Sequence, residues 1–118
     1  MAALNTVADY IADARVLLQD QAAPYRYEDT ELVENLNLAF LEVRRLRPDI
    51  LFAYLNSTLP TFSAYSPTTA VPMDVQYRVS LLYYICGQAQ LRDEETTQDA
   101  RATVFLQMFH AQLLSQGA

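Results

Sequence analysis

Residues Tyr25–Pro48, read as YRYEDTELVENLNLAFLEVRRLRP, decide how this chain folds. Within them Leu32, Leu36, Ala39, Phe40, Val43 and Leu46 recur three or four residues apart. That spacing puts them on one side of a helix. Glu31, Glu34, Asn35, Glu42 and Arg45 fill the rest of its circumference. Acids (Glu28, Asp29, Glu31) open the stretch and arginines (Arg44, Arg45, Arg47) close it. Each sign suits its end of the helix dipole, about 0.3–1 kcal/mol for a well-placed charge. Pro48 disfavours helical geometry at Arg47, so the spacing predicts a helix from about Asp29 to Leu46.

Upstream, Thr6-Val7-Ala8-Asp9 has the form of a capping box with Asp in its last place. Val7, Ile11, Ala14 and Leu18 continue from it as an apolar stripe, with Tyr10 and Leu17 alongside, and the helix is expected to stop near Asp20. A connection containing Pro24 follows, in which Tyr25 and Tyr27 flank Arg26. Downstream of Pro48, Asp49 to Leu55 is apolar enough for a helical turn or two. Asn56 to Val71 differs in kind: it holds Pro60, Pro67, four Thr and three Ser, and carries no charge. Its large aromatics are Phe62 and Tyr65. A loop of this length inside a compact domain is usually functional or extended against a partner, so it is expected either to meet a partner or to be a floppy surface loop, and its deletion is expected to spare the helices.

Two helices complete the chain. One is expected from Pro72 or Met73 to about Leu91, with Val75, Val79, Leu82, Cys86 and Ala89 on one face and Tyr77, Leu81, Tyr84 and Leu91 roughly opposite. Asp93-Glu94-Glu95 breaks it, and Thr96, with Asp99 three residues on, caps the last helix. There Ala102, Phe105, Leu106, Phe109 and Leu113 cover one side, and Ala100, Val104, Met108 and Ala111 roughly the other. Two helices apolar on both sides are more than a small bundle easily encloses. Part of that surface is therefore expected to lie against another subunit, unless one of the two sits at the centre. The pattern predicts an all-α fold: a four to five helix bundle with one Pro/Thr/Ser-rich extended loop at about 56–72, in a single domain spanning 1–118.

The totals agree. At 118 residues, one domain is the default and needs no staple. A content of 52% hydrophobic residues is too apolar for disorder, and 2 Gly with 5 Pro favour long helices over many short strands. The lone Cys86 rules out an internal disulfide and fits a reducing compartment. No apolar run long enough to span a membrane and no signal-peptide pattern is expected. The net charge of −6 argues against wrapping nucleic acid. All eight basic residues are Arg, for which we have no physical account.

Chemistry-bearing residues are sparse. His110 is the sole histidine and has no second ligand near it in sequence, so no metal site is read. Cys86 lies on an apolar face without an activating base. The 93–95 carboxylates read as solvated, and with only Gly87 and Gly117 there is no phosphate loop or nucleophile elbow. No catalytic residue and no cofactor is expected. Arg44, Arg45 and Arg47 form the one basic cluster. A small helical DNA-binding regulator could use it, yet Glu42 stands three residues before Arg45, close enough to pair. An acidic partner surface, or the next copy of the chain, suits the cluster equally well.

The central stretch resembles a tailed-phage head-to-tail adaptor family. There a capped helix of the form R-Y-[ST]-D-x-E-L ends, after an Asn, at R-P-D. Arg26, Tyr27, Asp29, Glu31, Leu32, Asn37, Arg47, Pro48 and Asp49 occupy those places here. Val7, Ala14, Arg15, Leu18 and Asp20 match a first helix written roughly V-x6-A-R-x2-L-x-D, and Tyr84, Ala102, Phe109 and Leu113 resemble the closing helical pair. Glu28 stands where the family has a capping Thr or Ser, which moves the cap to Asp29 or Thr30, and the family's middle region is longer. The resemblance implies a virion protein at the head–tail junction, assembled in the host cytoplasm. It implies a ring, typically dodecameric, that binds the portal protein above and tail or nozzle proteins below. DNA passes through its channel without specific binding, and no membrane is involved. The expected contact residues are Arg44, Arg45, Arg47, Phe62, Tyr65, Tyr77, Leu81, Tyr84, Val104 and Met108, together with the Asn56–Val71 segment and the Ser115–Ala118 tail.

Overall fold

The computed structural model describes residues 4–21, 25, 27–51, 58–92 and 101–115, and these build four helices and no strand. The helices are α1 (Val7–Leu18), α2 (Asp29–Leu46), α3 (Arg78–Arg92) and α4 (Arg101–Ser115), with a 3-10 turn at Val75–Tyr77 leading into α3. Among the described residues no helix is long and apolar enough to cross a membrane.

The capping box at Thr6 is formed. The Thr6 hydroxyl accepts the Asp9 N–H at 3.4 Å, and the Asp9 carboxylate accepts the N–H groups of Asn5 and Thr6 at 2.9 and 3.1 Å. These backbone donors hold the Asp9 carboxyl below its ordinary value. α1 ends at Leu18, before Asp20, because Gln19 turns left-handed (φ 58°, ψ 43°) and its N–H closes on the carbonyls of Arg15 and Val16. α2 has the predicted bounds. Its N-cap is Glu28, which makes no side-chain capping bond, so neither Asp29 nor Thr30 is the cap. Asp29 lies within the helix, and its carboxylate is engaged by Arg15 instead.

α3 starts later than the sequence pattern suggests. Residues 71–74 are extended: the Val71 N–H donates to Asn5 O at 2.8 Å, and Arg78 Nε donates to Met73 O at 2.9 Å. These contacts with the chain start and the helix's own first residue delay winding until Val75. The 93–95 break, the Thr96 cap and most of the expected turn at 49–55 lie outside the described residues; of the latter, 48–51 forms a turn.

The 58–74 segment is packed into the molecule. It supplies carbonyls to the free N-terminal donors of α1: Val7 N–H reaches Thr69 O at 3.1 Å and Ala8 N–H reaches Pro67 O at 2.9 Å. Asn37, midway along α2, clamps it from the other side, donating to Phe62 O at 3.1 Å and accepting Phe62 N–H at 2.8 Å. The Phe62 ring meets Phe40 edge-to-face with centroids 5.2 Å apart. Leu59, Phe62, Val71 and Met73 are all buried. Deleting 56–71 would leave the Thr6–Asp9 capping box in place but remove the acceptors of the Val7 and Ala8 N–H groups and uncover Phe40, so its removal is expected to destabilise the helices rather than spare them.

α3 is the central element, packed by α1, α2 and α4. Leu81, Leu82, Ile85, Cys86 and Ala89 are buried there, joined by Val7, Tyr10 and Ala14 of α1, Leu36, Phe40 and Val43 of α2, and Phe109 and Leu113 of α4. The Cys86 thiol points at Ala14 O, 3.9 Å away. At the α3–α4 crossing Gly87 has no room for a side chain. A Cβ there would lie 2.8 Å from Leu106 Cγ and 3.3 Å from Phe105 Cβ. The small residue allows the two helices to approach closely.

Candidate functional site

The contact residues expected from sequence separate into three groups. The first is inside the molecule. Tyr77, Leu81 and Tyr84, expected on a second exposed face of α3, are buried by the chain itself. Tyr77 lies beneath the Arg47 guanidinium, 5.8 Å from the ring centroid, and Tyr84 packs edge-to-face on Phe109 at 4.9 Å. Burial, reinforced by the nearby Glu42 charge, pushes the Tyr84 hydroxyl up from its ordinary value. Phe62 is likewise interior, on Phe40. The reason is packing within the chain: Leu81 is enclosed on the central helix, Tyr84 meets α4 at Phe109, Tyr77 meets the end of α2 at Arg47, and Phe62 meets the middle of α2 at Phe40.

The second group is the arginine cluster, which the structure divides. Arg45 forms a fork with Glu42, Nε and Nη2 donating at 3.0 and 2.8 Å to its two oxygens. Arg47 turns the other way. It forks onto Asp49 at 3.0 and 2.7 Å and donates from Nη1 to Leu113 O at 2.8 Å, tying the end of α2 to the end of α4. These arginines hold the Glu42 and Asp49 carboxyls below their ordinary values, chiefly through the side-chain hydrogen bonds. Arg47 is a tether rather than part of a docking patch, while Arg44 is exposed.

The third group is open. On α4, Val104 is 47% and Met108 37% exposed, and Leu114, on the same outward side, is 48% exposed. Thr103, Gln107 and Ala111 complete this side. Between Ala102 and Leu114 the helix carries no acid and no arginine; His110, whose Nδ1 lies 3.0 Å from Leu106 O, is the only titratable group. An exposed helix face without formal charge is a surface suited to being covered. Tyr65 is 88% exposed, on the wall of a notch of about 400 Å³ shared with Tyr25, Glu28, Asp29, Thr30 and Ala64. Of the 115–118 tail, all but the last residue of α4 lies outside the described residues.

One cluster was not singled out as a site by sequence reasoning. Arg15 is buried, and its Nη1 donates to Asp20 Oδ2 at 2.9 Å and to Tyr27 O at 2.8 Å, while Nη2 pairs with the Asp29 carboxylate. Asp20 Oδ2 also accepts Tyr27 N–H at 2.9 Å, and the Tyr25 ring covers the guanidinium at 3.8 Å. The cluster bolts the end of α1 to the start of α2. The signal for it was present, since Arg15, Asp20, Tyr27 and Asp29 are all among the residues quoted for the resemblance. Among the described residues no three His, Cys, Asp or Glu side chains gather as metal ligands would. No protein-family model, curated protein or solved structure matches this chain.

Proposed function

We propose that this chain is a structural protein of a tailed-phage virion, a head-to-tail adaptor that is not an enzyme. In this reading one helical domain, a four to five helix bundle with a Pro/Thr/Ser-rich loop, repeats as a ring beneath the portal. The ring, dodecameric by the resemblance, extends the DNA channel and docks tail or nozzle proteins. The observation that carries the proposal is the outer side of α4, where Val104, Met108 and Leu114 stand exposed on a stretch without acid or arginine. Ring closure needs heterologous contacts, one surface of each copy against a different surface of the next, and α4 supplies one such surface.

A second support comes from the residues that carry the resemblance. Arg15, Asp20, Tyr27 and Asp29 join α1 to α2, Asn37 holds the 58–74 segment, and Arg47 with Asp49 fixes the far end of α2. A pattern whose members each hold a junction is what a shared fold would leave in a sequence. The net charge of −6, repeated with each copy, favours an acidic channel along which DNA slides without sticking. A DNA-binding regulator would need Arg44, Arg45 and Arg47 on one surface; Glu42 and Asp49 neutralise two of them, which weakens that alternative.

The test is to mix the chain with the portal protein of the same phage and image the product by negative stain. A ring capping the portal is expected, and Met108→Glu should prevent it while leaving the melting curve of the free chain unchanged. Absence of any portal or tail association would overturn the reading. So would sequence-specific DNA binding at low salt that disappears in Arg44→Ala/Arg45→Ala.

A further inference from the structure

We infer that the outward stripe of α2 is a self-complementary contact that pairs two copies of this chain about a two-fold axis. Glu34, Leu38, Leu41 and Arg45 stand four, three and four residues apart, the spacing of a coiled-coil seam. All four are exposed, Leu38 at 37% and Leu41 at 50%, on the side of α2 turned away from Leu36, Phe40 and Val43. Among the described residues these two leucines, one helical turn apart, are left in large part exposed.

The stripe has polarity. It begins on an acid, is apolar in the middle and ends on an arginine. Laid antiparallel on a second copy, polarity becomes complementarity. The register that sets Leu38 against Leu41 of the second copy also sets Glu34 against its Arg45, and the two-fold axis makes each pair twice. Parallel pairing in register would set Glu34 against Glu34 and Arg45 against Arg45, so the charges select the antiparallel arrangement. The helix dipoles, head to tail in that arrangement, act in the same direction. The fork to Glu42 fixes the Arg45 side chain yet uses only its Nε and Nη2, which leaves further N–H donors for a carboxylate across the seam. Pro48, where the next turn would begin, limits the seam to this length. With two leucine layers the pair is weak and forms in proportion to concentration. It involves neither α4 nor the portal, so it stands or falls independently of the adaptor reading.

The experiment is sedimentation velocity on the full chain carrying Met108→Glu, which removes association through α4. A concentration-dependent dimer is expected. Glu34→Arg and Arg45→Glu should each weaken it about tenfold or more, and the two reversals together should restore it. A mixture of Leu38→Cys chains with Leu41→Cys chains should cross-link faster than either chain alone. If a reversal shifts the melting curve, Glu34→Gln and Arg45→Gln replace it, each expected to weaken the dimer by a smaller factor. A chain that stays monomeric at millimolar concentration would overturn the inference and assign the stripe to another protein's helix. A double reversal as weak as the singles, or Leu38→Cys chains that cross-link fastest to one another, would overturn it as well.

Discussion

α3 and α4 are each 15 residues long, and both carry apolar side chains around most of their circumference. One is enclosed and the other is not. α3 has α1, α2 and α4 around it, so Leu81 and Leu82, adjacent in sequence and pointing different ways, are both fully buried. α4 packs mainly on α3. It buries Phe109 and Leu113 and leaves Val104, Met108 and Leu114 in solvent. A two-sided apolar pattern therefore does not by itself say whether the chain covers both sides of a helix. The position of the helix in the bundle decides that, and position is set by contacts far apart in sequence.

The comparison breaks most readily in the core. Leu82→Ala or Ile85→Ala on α3 is expected to cost about 2–5 kcal/mol, read as a fall in the denaturant midpoint. A loss below about 1 kcal/mol would mean that α3 is not the enclosed helix. At the crossing, Gly87→Ala sets a methyl group against Leu106. Overpacking at about 1–3 kcal/mol outweighs the gain in helix propensity of about 1 kcal/mol, so a net loss near 1 kcal/mol is expected. In combination with Leu106→Ala the loss should be smaller than the two single losses added, because both changes concern one contact.

At the start of α1, Thr6→Ala removes half of the capping box and should cost about 1 kcal/mol. The same cap gives a pH dependence. Asp9 is held below its ordinary 3.8, so near that value the unfolded chain binds more protons than the folded one. Its contribution is complete above the ordinary value and is lost as the pH falls through the folded one. Stability measured from about pH 5 down to about pH 3 should therefore fall more steeply in the wild type than in Asp9→Asn. The smallest effect belongs to the open helix. Val104→Ala and Met108→Glu should change the stability of the isolated chain by no more than about 0.5 kcal/mol. A large loss would show that the outer side of α4 is part of the core.

Much of the fold was legible because its signals are local. The α2 bounds follow from apolar spacing and Pro48, the α1 cap from Thr6 and Asp9, and the Glu42–Arg45 fork from a three-residue separation. What could not be read depends on long-range partners. Phe62 resembled an exposed loop aromatic until Asn37, 25 residues earlier, was seen to hold its backbone. The 58–74 segment, uncharged and Pro-rich, resembled a partner arm, but its carbonyls complete the first turn of α1. Tyr77 and Tyr84 have the composition of an interface and the position of a core. Arg47 joined Arg44 and Arg45 in sequence, yet Pro48 turns the chain so that Asp49 and Leu113 take its guanidinium. On the open side, Val104 and Met108 could be named from sequence, whereas Leu114 could not, since it follows Leu113 and only the packing tells the two apart.

Thiol labelling tests the central claim most directly, with the native cysteine as an internal reference. In free chains carrying Met108→Cys, the new thiol should react at the rate of an exposed group while buried Cys86 stays unreactive. In assembled particles containing the same chain, the thiol at position 108 should become protected. Equal labelling of position 108 in free and assembled chains would contradict the account.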